Sequence, residues 1–162
     1  MTEMSDRLER PASIEIANET LLRIGAIADT DRTEAYVVGG FVRDRILGKD
    51  ATDVDIVVIG DGISFAKLVA RELGIRDIVT YEAFGTAMLP YRGGKIEFVT
   101  AREESYSRES RKPSVKQASL ESDLSRRDFT INAMAASINR GRLGAVVDPY
   151  NGYGDLVARL YG

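Results

Sequence analysis

Apolar residues recur along the chain in two rhythms, one of helical and one of strand period, and their order predicts a mixed α/β domain. Ile14, Ala17, Leu21 and Ile24 fall at helical spacing after Pro11 and predict a leading helix over about 13–28. Residues 35–38 are an apolar run stopped by Gly39-Gly40, a buried strand meeting a turn, and 41–47 then read as a short helix ended by Gly48. Val54–Ile59 is the clearest strand, β-branched and bounded by Asp and Gly. A second amphipathic helix carries Phe65, Leu68, Val69 and Leu73 and closes at Gly74. Strands are expected at 77–80, 85–90 and 95–99, with Gly93-Gly94 turning the last pair as a hairpin. Residues 102–125 are polar, rich in Ser and Arg and without period, and read as a long exposed loop. A helix over about 128–137 and a strand near 145–148 complete the order.

Length and composition narrow the chemistry. The 162 residues suit one domain, read as a helical lead over 1–30 and a main body over 31–162. An apolar share of 44% supports a core and excludes wholesale disorder. The chain holds no Cys and no His, which removes thiol catalysis, zinc fingers, Ser-His-Asp triads and imidazole bases. Chemistry must therefore run on carboxylates, Lys and Arg, hydroxyls and backbone groups. Net charge is −3, yet residues 102–127 hold seven Lys/Arg against five acids, a modest local footprint for phosphates. No apolar run approaches the roughly 20 residues of a membrane span, so no membrane partner is expected and a cytoplasmic address is the default. Nothing in the sequence sets an oligomeric state.

Two carboxylates, Asp53 and Asp55, sit two apart at the mouth of the strongest strand, and the period of two puts both on one face. Close carboxylates repel unless a cation lies between them or a proton is taken up. Oxygen-only ligation selects a hard ion, Mg²⁺ or Mn²⁺. Taken alone, such a pair also suits a solvent-facing turn. Glu97 is the candidate third carboxylate, because Ile96 and Phe98 occupy the other face of its strand. It equally suits an ordinary polar position on a half-exposed strand.

The segment Tyr36-Val37-Val38-Gly39-Gly40-Phe41-Val42-Arg43-Asp44 reads as strand, double glycine and helix start. Gly39 and Gly40 let backbone approach a ligand closely, and Arg43 one turn on adds a forked charge for a phosphate. A second cluster, Ser125-Arg126-Arg127-Asp128-Phe129-Thr130-Ile131-Asn132-Ala133, places Asp128 as the N-cap of the helix over 128–137, with Asn132 at i+4 on its face. Arg127, Asp128 and Asn132 are then suited to a ribose and its phosphates, or to a plain capped surface helix.

These two motifs, G-G-F-V-R-D-R-I-L-G with D-V-D-I-V-V and then R-R-D-F-T-I-N-A-M-A, resemble the head domain of class II tRNA nucleotidyltransferases and bacterial poly(A) polymerases. The likeness runs from about 36 to 156 and includes Asp148-Pro149-Tyr150 and Gly154-Asp155-Leu156. It implies the polymerase-β-like nucleotidyltransferase fold, α/β with a mixed sheet flanked by helices, and untemplated addition of nucleotides to RNA 3′ ends. It also implies that Asp53 and Asp55 hold two Mg²⁺ ions, with Mn²⁺ as a substitute, and that Glu97 is the third carboxylate. Gly39, Gly40 and Arg43 would then bind ATP or CTP, Arg127 the triphosphate, and Asp128 and Asn132 the ribose. Residues 102–125 overlap the family's flexible loop. The family's base-selecting E-D-x-x-R element is absent from the sequence, as are the neck, body and tail that grip tRNA in the family, so the expectation is a catalytic head whose tRNA contacts lie mainly elsewhere. Alternatives are a poly(A) polymerase head, a nucleotide-binding fragment without turnover, and a transferase acting on a small molecule or protein.

Overall fold

A computed structural model describes residues 10–101 and 119–161. Seven strands form one mixed sheet in the order β3-β4-β5-β2-β1-β6-β7. They are β1 (Glu34–Val38), β2 (Val54–Ile59), β3 (Val79–Tyr81), β4 (Thr86–Tyr91), β5 (Gly94–Thr100), β6 (Ala135–Ser137) and β7 (Val146–Val147). The helices are α1 (Glu19–Asp31), α2 (Gly40–Ile46), α3 (Gly62–Leu73), α4 (Leu120–Ser125) and α5 (Gly152–Tyr161). Among the described strands β2 and β5 are the only parallel neighbours.

The period of two sorts the strand residues onto two faces. Val54, Ile56 and Val58 of β2 join Val37, Ile96, Phe98 and Leu89 in the main core, under Leu21, Ile24 and Ala28 of α1 and Phe65 and Val69 of α3. Asp61 caps α3, its Oδ1 accepting the amides of Ile63 and Ser64 at 3.1 Å each, and Gly74 ends that helix in the left-handed conformation. The other face carries a smaller cluster in which Leu120 and Leu124 of α4 cover Tyr36, Val38 and Val57. That cover stops short of Asp55 and Glu97.

Three expectations are corrected. The leading helix begins at Glu19, capped by Asn18. The residues before it instead run along the sheet edge, Ser13 bridging to Ala145 and the Ile14 amide donating to the Gly144 carbonyl at 2.9 Å. The end of the supposed loop is helical, because Ser119 caps α4 and Leu120 and Leu124 have a core to enter; residues 102–118 lie outside the described residues. The helix over 128–137 does not form. Thr130–Asn132 make a 3₁₀ turn, and Ala135–Ser137 become an inner strand buried between β1 and β7. Alanine favours helix locally, but the backbone groups of β1 need partners and the sheet takes the segment. A helix at 152–161 had no counterpart in the sequence reading; Asp148 starts it by accepting the Gly152 and Tyr153 amides at 2.7 and 3.0 Å.

Candidate active site

The site is built where β1, β2 and β5 meet on the less covered face. Asp55 pairs in register with Glu97 on one side and with Val38 on the other. Parallel registration holds neighbouring backbones about 4.8 Å apart, and the alternation of both strands directs both carboxylates to the same face. Asp53 precedes the strand and is exposed. Its Oδ1 accepts the Lys95 amide at 3.1 Å, which ties it to the β4–β5 hairpin. This contact depends on Gly94, since a Cβ there would lie 2.4 Å from the Thr52 carbonyl oxygen and 2.7 Å from Asp53 Oδ1.

Electrostatics marks the same residues. Burial pushes the Asp55 carboxyl above the usual carboxylate range and Asp53 adds to this, while Arg127 and Lys95 pull it back. Glu97 is also raised, first by burial and then by Asp55, against the same two cations. Among the described residues no three acids converge into a closed metal cage.

Beside the carboxylates stands a cationic wall. Gly39 has φ +67°, a conformation that side chains rarely take, and its amide donates to the Met134 carbonyl at 3.1 Å. Arg127 Nη1 would lie 3.4 Å from a Cβ at Gly39. The Nη2 of Arg127 faces Asp123 at 3.6 Å, with side-chain exposures of 24% and 8%. Arg127 Nε is buried with no hydrogen-bond partner among the described residues, a donor left for something the chain does not supply. Arg43 folds back over Gly40, its Nε on Asp44 at 3.1 Å and its Nη1 donating to Asn132 Oδ1 at 3.2 Å. A cleft of about 250 Å³ joins Gly40, Arg43, Asp44, Asp53 and Asp55. A larger cavity, about 430 Å³, adjoins it across Phe41 and residues 50–52 and extends towards Asn18 and Tyr91; its lining includes neither Asp53 nor Asp55.

The structure thus brings together Asp53, Asp55, Glu97, Gly39, Gly40, Arg43, Arg127 and Asn132. Asn132 arrives by a 3₁₀ turn rather than by the face of an α-helix. Asp128, next to Arg127 in the chain, caps no helix: it is exposed in a bend and makes no hydrogen bond or ion pair among the described residues. α2 has only seven residues, so anion attraction rests on the two guanidinium groups more than on a helix dipole. Two residues escaped the sequence reading. Asp123 stands four before Arg127 and is legible as an i,i+4 pair once α4 is known. Lys95 follows the hairpin glycines and faces the acids through the turn.

Comparison with known proteins agrees with this layout. The profile of the family described as Poly A polymerase head domain matches residues 35–161. The A-adding tRNA nucleotidyltransferase of Aquifex aeolicus is 50% identical over 122 residues, covering 75% of this chain and 15% of that protein. The A-adding enzyme of Halalkalibacterium halodurans is 37% identical over 143 residues, covering 88% of this chain and 33% of its own length. A crystal structure of a tRNA nucleotidyltransferase complexed with a primer tRNA and an incoming ATP analog superposes with a TM-score of 0.72 at 46% identity, covering 83% of this chain and 36% of that one. The sheet and its flanking helices are therefore those of the polymerase-β-like nucleotidyltransferase fold. The chain spans about a sixth to a third of the length of these curated relatives.

Proposed function

Because the chain belongs to the family of poly(A) polymerase head domains, we propose that it is the catalytic head of an enzyme that adds nucleotides to RNA 3′ ends without a template. The acceptor is a tRNA 3′-hydroxyl and the donor is ATP or CTP. The hydroxyl oxygen bonds to the α-phosphorus, the bond from that phosphorus to the β-phosphate breaks, and pyrophosphate leaves. The observation that carries this reading is the in-register pair of Asp55 and Glu97 beside a guanidinium with an unpartnered buried donor.

The donor set fits a hard divalent cation. All candidate ligands are carboxylate oxygens, and burial and a neighbouring acid make the ionised forms of Asp55 and Glu97 costly until a cation arrives. Mg²⁺ takes one or two carboxylates and completes its shell with water and phosphate oxygens. Asp53 and Asp55 would hold the ions, with Glu97 beside them, and Mn²⁺ would serve in place of Mg²⁺. Held by Asp53 and Asp55, such ions would lower the pKa of the attacking hydroxyl and offset charge on the leaving group.

The chain's own residues do the rest. Arg43 and Arg127, whose guanidinium groups lie over Gly40 and Gly39, clamp the triphosphate. Asn132, held by Arg43, lies at hand for the ribose. With no His in the chain, the hydroxyl proton passes to water. Incorporation of labelled nucleotide into tRNA lacking its 3′ terminus, with ATP alone, CTP alone and both, tests the reaction and separates A, CC, CCA and poly(A) addition. ATP binding with no incorporation by the whole protein under any of these conditions would overturn it.

A further inference from the structure

One line of residues crosses the site face in register: Val79 on β3 opposite Met88 on β4, Met88 opposite Glu97, and Glu97 opposite Asp55. Tyr81 lies two residues along β3 from Val79, hence on the same face. On the β1 side of the carboxylates this face is covered by α4 and walled by Arg43 and Arg127. On the β3 side it is open, with Val79 47%, Tyr81 45% and Phe84 66% exposed. Val79 and Tyr81 share this face and Phe84 stands exposed in the 3₁₀ turn that follows β3, three large apolar side chains in water of the kind that marks a binding surface.

We propose that this strip, with Tyr81 and Phe84 as its aromatic contacts, is the platform on which the bases of the single-stranded RNA 3′ end stack as they approach the carboxylates. The inference rests on the nucleotidyltransfer reading above and adds the path of the acceptor. Displacement at phosphorus is in line, so the attacking hydroxyl and the leaving pyrophosphate lie on opposite sides of the α-phosphate. The guanidinium groups that hold the triphosphate stand on the β1 side of Asp55, and the acceptor therefore enters from the β5 side, across β4 and β3. Aromatic rings suit bases more than phosphates, since every base offers a π-face, and the one charge between them in sequence, the exposed Glu82, is an anion that repels phosphate. Three strand spacings separate β3 from β2, about 14 Å. A stacked strand rises about 3.4 Å per nucleotide, so the rings meet bases a few nucleotides upstream of the reacting hydroxyl.

The test compares wild type, the Tyr81→Ala/Phe84→Ala double variant, Tyr81→Phe and Asp55→Asn in the whole protein, with tRNA lacking its terminal nucleotide as substrate. The double variant is expected to raise KM for RNA about tenfold, the usual scale for a lost base–aromatic stack, with KM for ATP unchanged. Tyr81→Phe keeps the ring and is expected to hold KM for RNA far below that of the double variant. A 4-thiouridine placed two to four nucleotides from the 3′ end is expected to cross-link wild-type protein within residues 79–84. An unchanged KM for RNA in the double variant, or cross-links confined to other segments, overturns the platform. So does a double variant that alters self-association in sedimentation while KM for RNA holds, because the patch then serves a protein partner. If Asp55→Asn incorporates normally, the nucleotidyltransfer reading itself fails. If Asp55→Asn is dead and the double variant behaves as wild type, only the platform fails.

Discussion

Asp55 on β2 and Glu97 on β5 stand opposite each other in parallel register; burial strengthens the hold of both on a proton, and Asp55 strengthens that of Glu97 further. Two acids in this relationship oppose folding when ionised and become useful when a cation or a phosphoryl group needs them. Stability and function therefore pull in different directions at this pair.

Replacing either strand-mouth acid shows the functional half. Asp53→Ala and Asp55→Asn are expected to lower nucleotide incorporation at least about a hundredfold, the scale of losing one group that stabilises transition-state charge. Single-turnover incorporation with saturating ATP checks it, and near-normal rates in either variant would remove that residue from the site.

The pH dependence of stability shows the other half. A carboxyl with a folded pKa above its unfolded value binds its proton more tightly when folded. Its contribution is present at low pH and is lost as pH rises through the raised value. Asp55 and Glu97 act in this direction. Asp61 acts oppositely, since the Ser64 amide and hydroxyl hold its pKa low, and its contribution is lost as pH falls. Thermal melts in chelator between the ordinary carboxylate range and neutrality should therefore show Asp55→Asn gaining on wild type as pH rises. Asp61→Asn should lose ground to wild type lower down, as pH rises from the lowered Asp61 value into the ordinary carboxylate range, and differ from it by a constant amount above that. Added Mg²⁺ should raise the wild-type midpoint at neutral pH and leave Asp55→Asn less affected.

Arg127 is expected to be irreplaceable by lysine. Its Nη1 lies against Gly39, its Nη2 against Asp123, and its Nε awaits a partner, a fork that an ammonium does not reproduce. Arg127→Lys should raise KM for ATP about tenfold or more. Arg127→Ala should also cost about 1–3 kcal/mol of stability, because Asp123 is left buried without its cation. Equilibrium unfolding and ATP titration separate the two effects.

The two hairpin glycines are expected to differ. A methyl at Gly94 would strike the Thr52 carbonyl and the Asp53 carboxylate. Gly94→Ala should thus cost about 1–3 kcal/mol and reduce activity by moving Asp53. Gly93 has open space around it at φ +79°, and Gly93→Asn should be mild in both respects, because Asn tolerates that conformation. Melting temperature and incorporation rate, measured together, decide it.

Legibility followed the reach of each interaction. Val54–Ile59 is readable as a strand because β-branched residues and flanking Asp and Gly act locally. The close of α3 at Gly74 is readable for the same reason. The failures are segments whose partners are distant. Residues 135–137 look helical until β1 is placed beside them, and α4 shows no period because six residues hold too few turns to display one. Asn132 was singled out for a helical spacing that does not exist and reaches the site through its hydrogen bond to Arg43.

The sequence by itself determined the chemistry available to this protein: carboxylates and guanidinium groups, no imidazole, no thiol, and glycines where a ligand comes close. It also determined which side chains of β2 face inward, because alternation is a property of one strand alone. Only the tertiary structure decided that Glu97 stands beside Asp55, that Arg127 leans on Gly39 against Asp123, and that Asp128 caps no helix. Those relationships come from strand pairing and packing between segments far apart in the chain, and no local period records them.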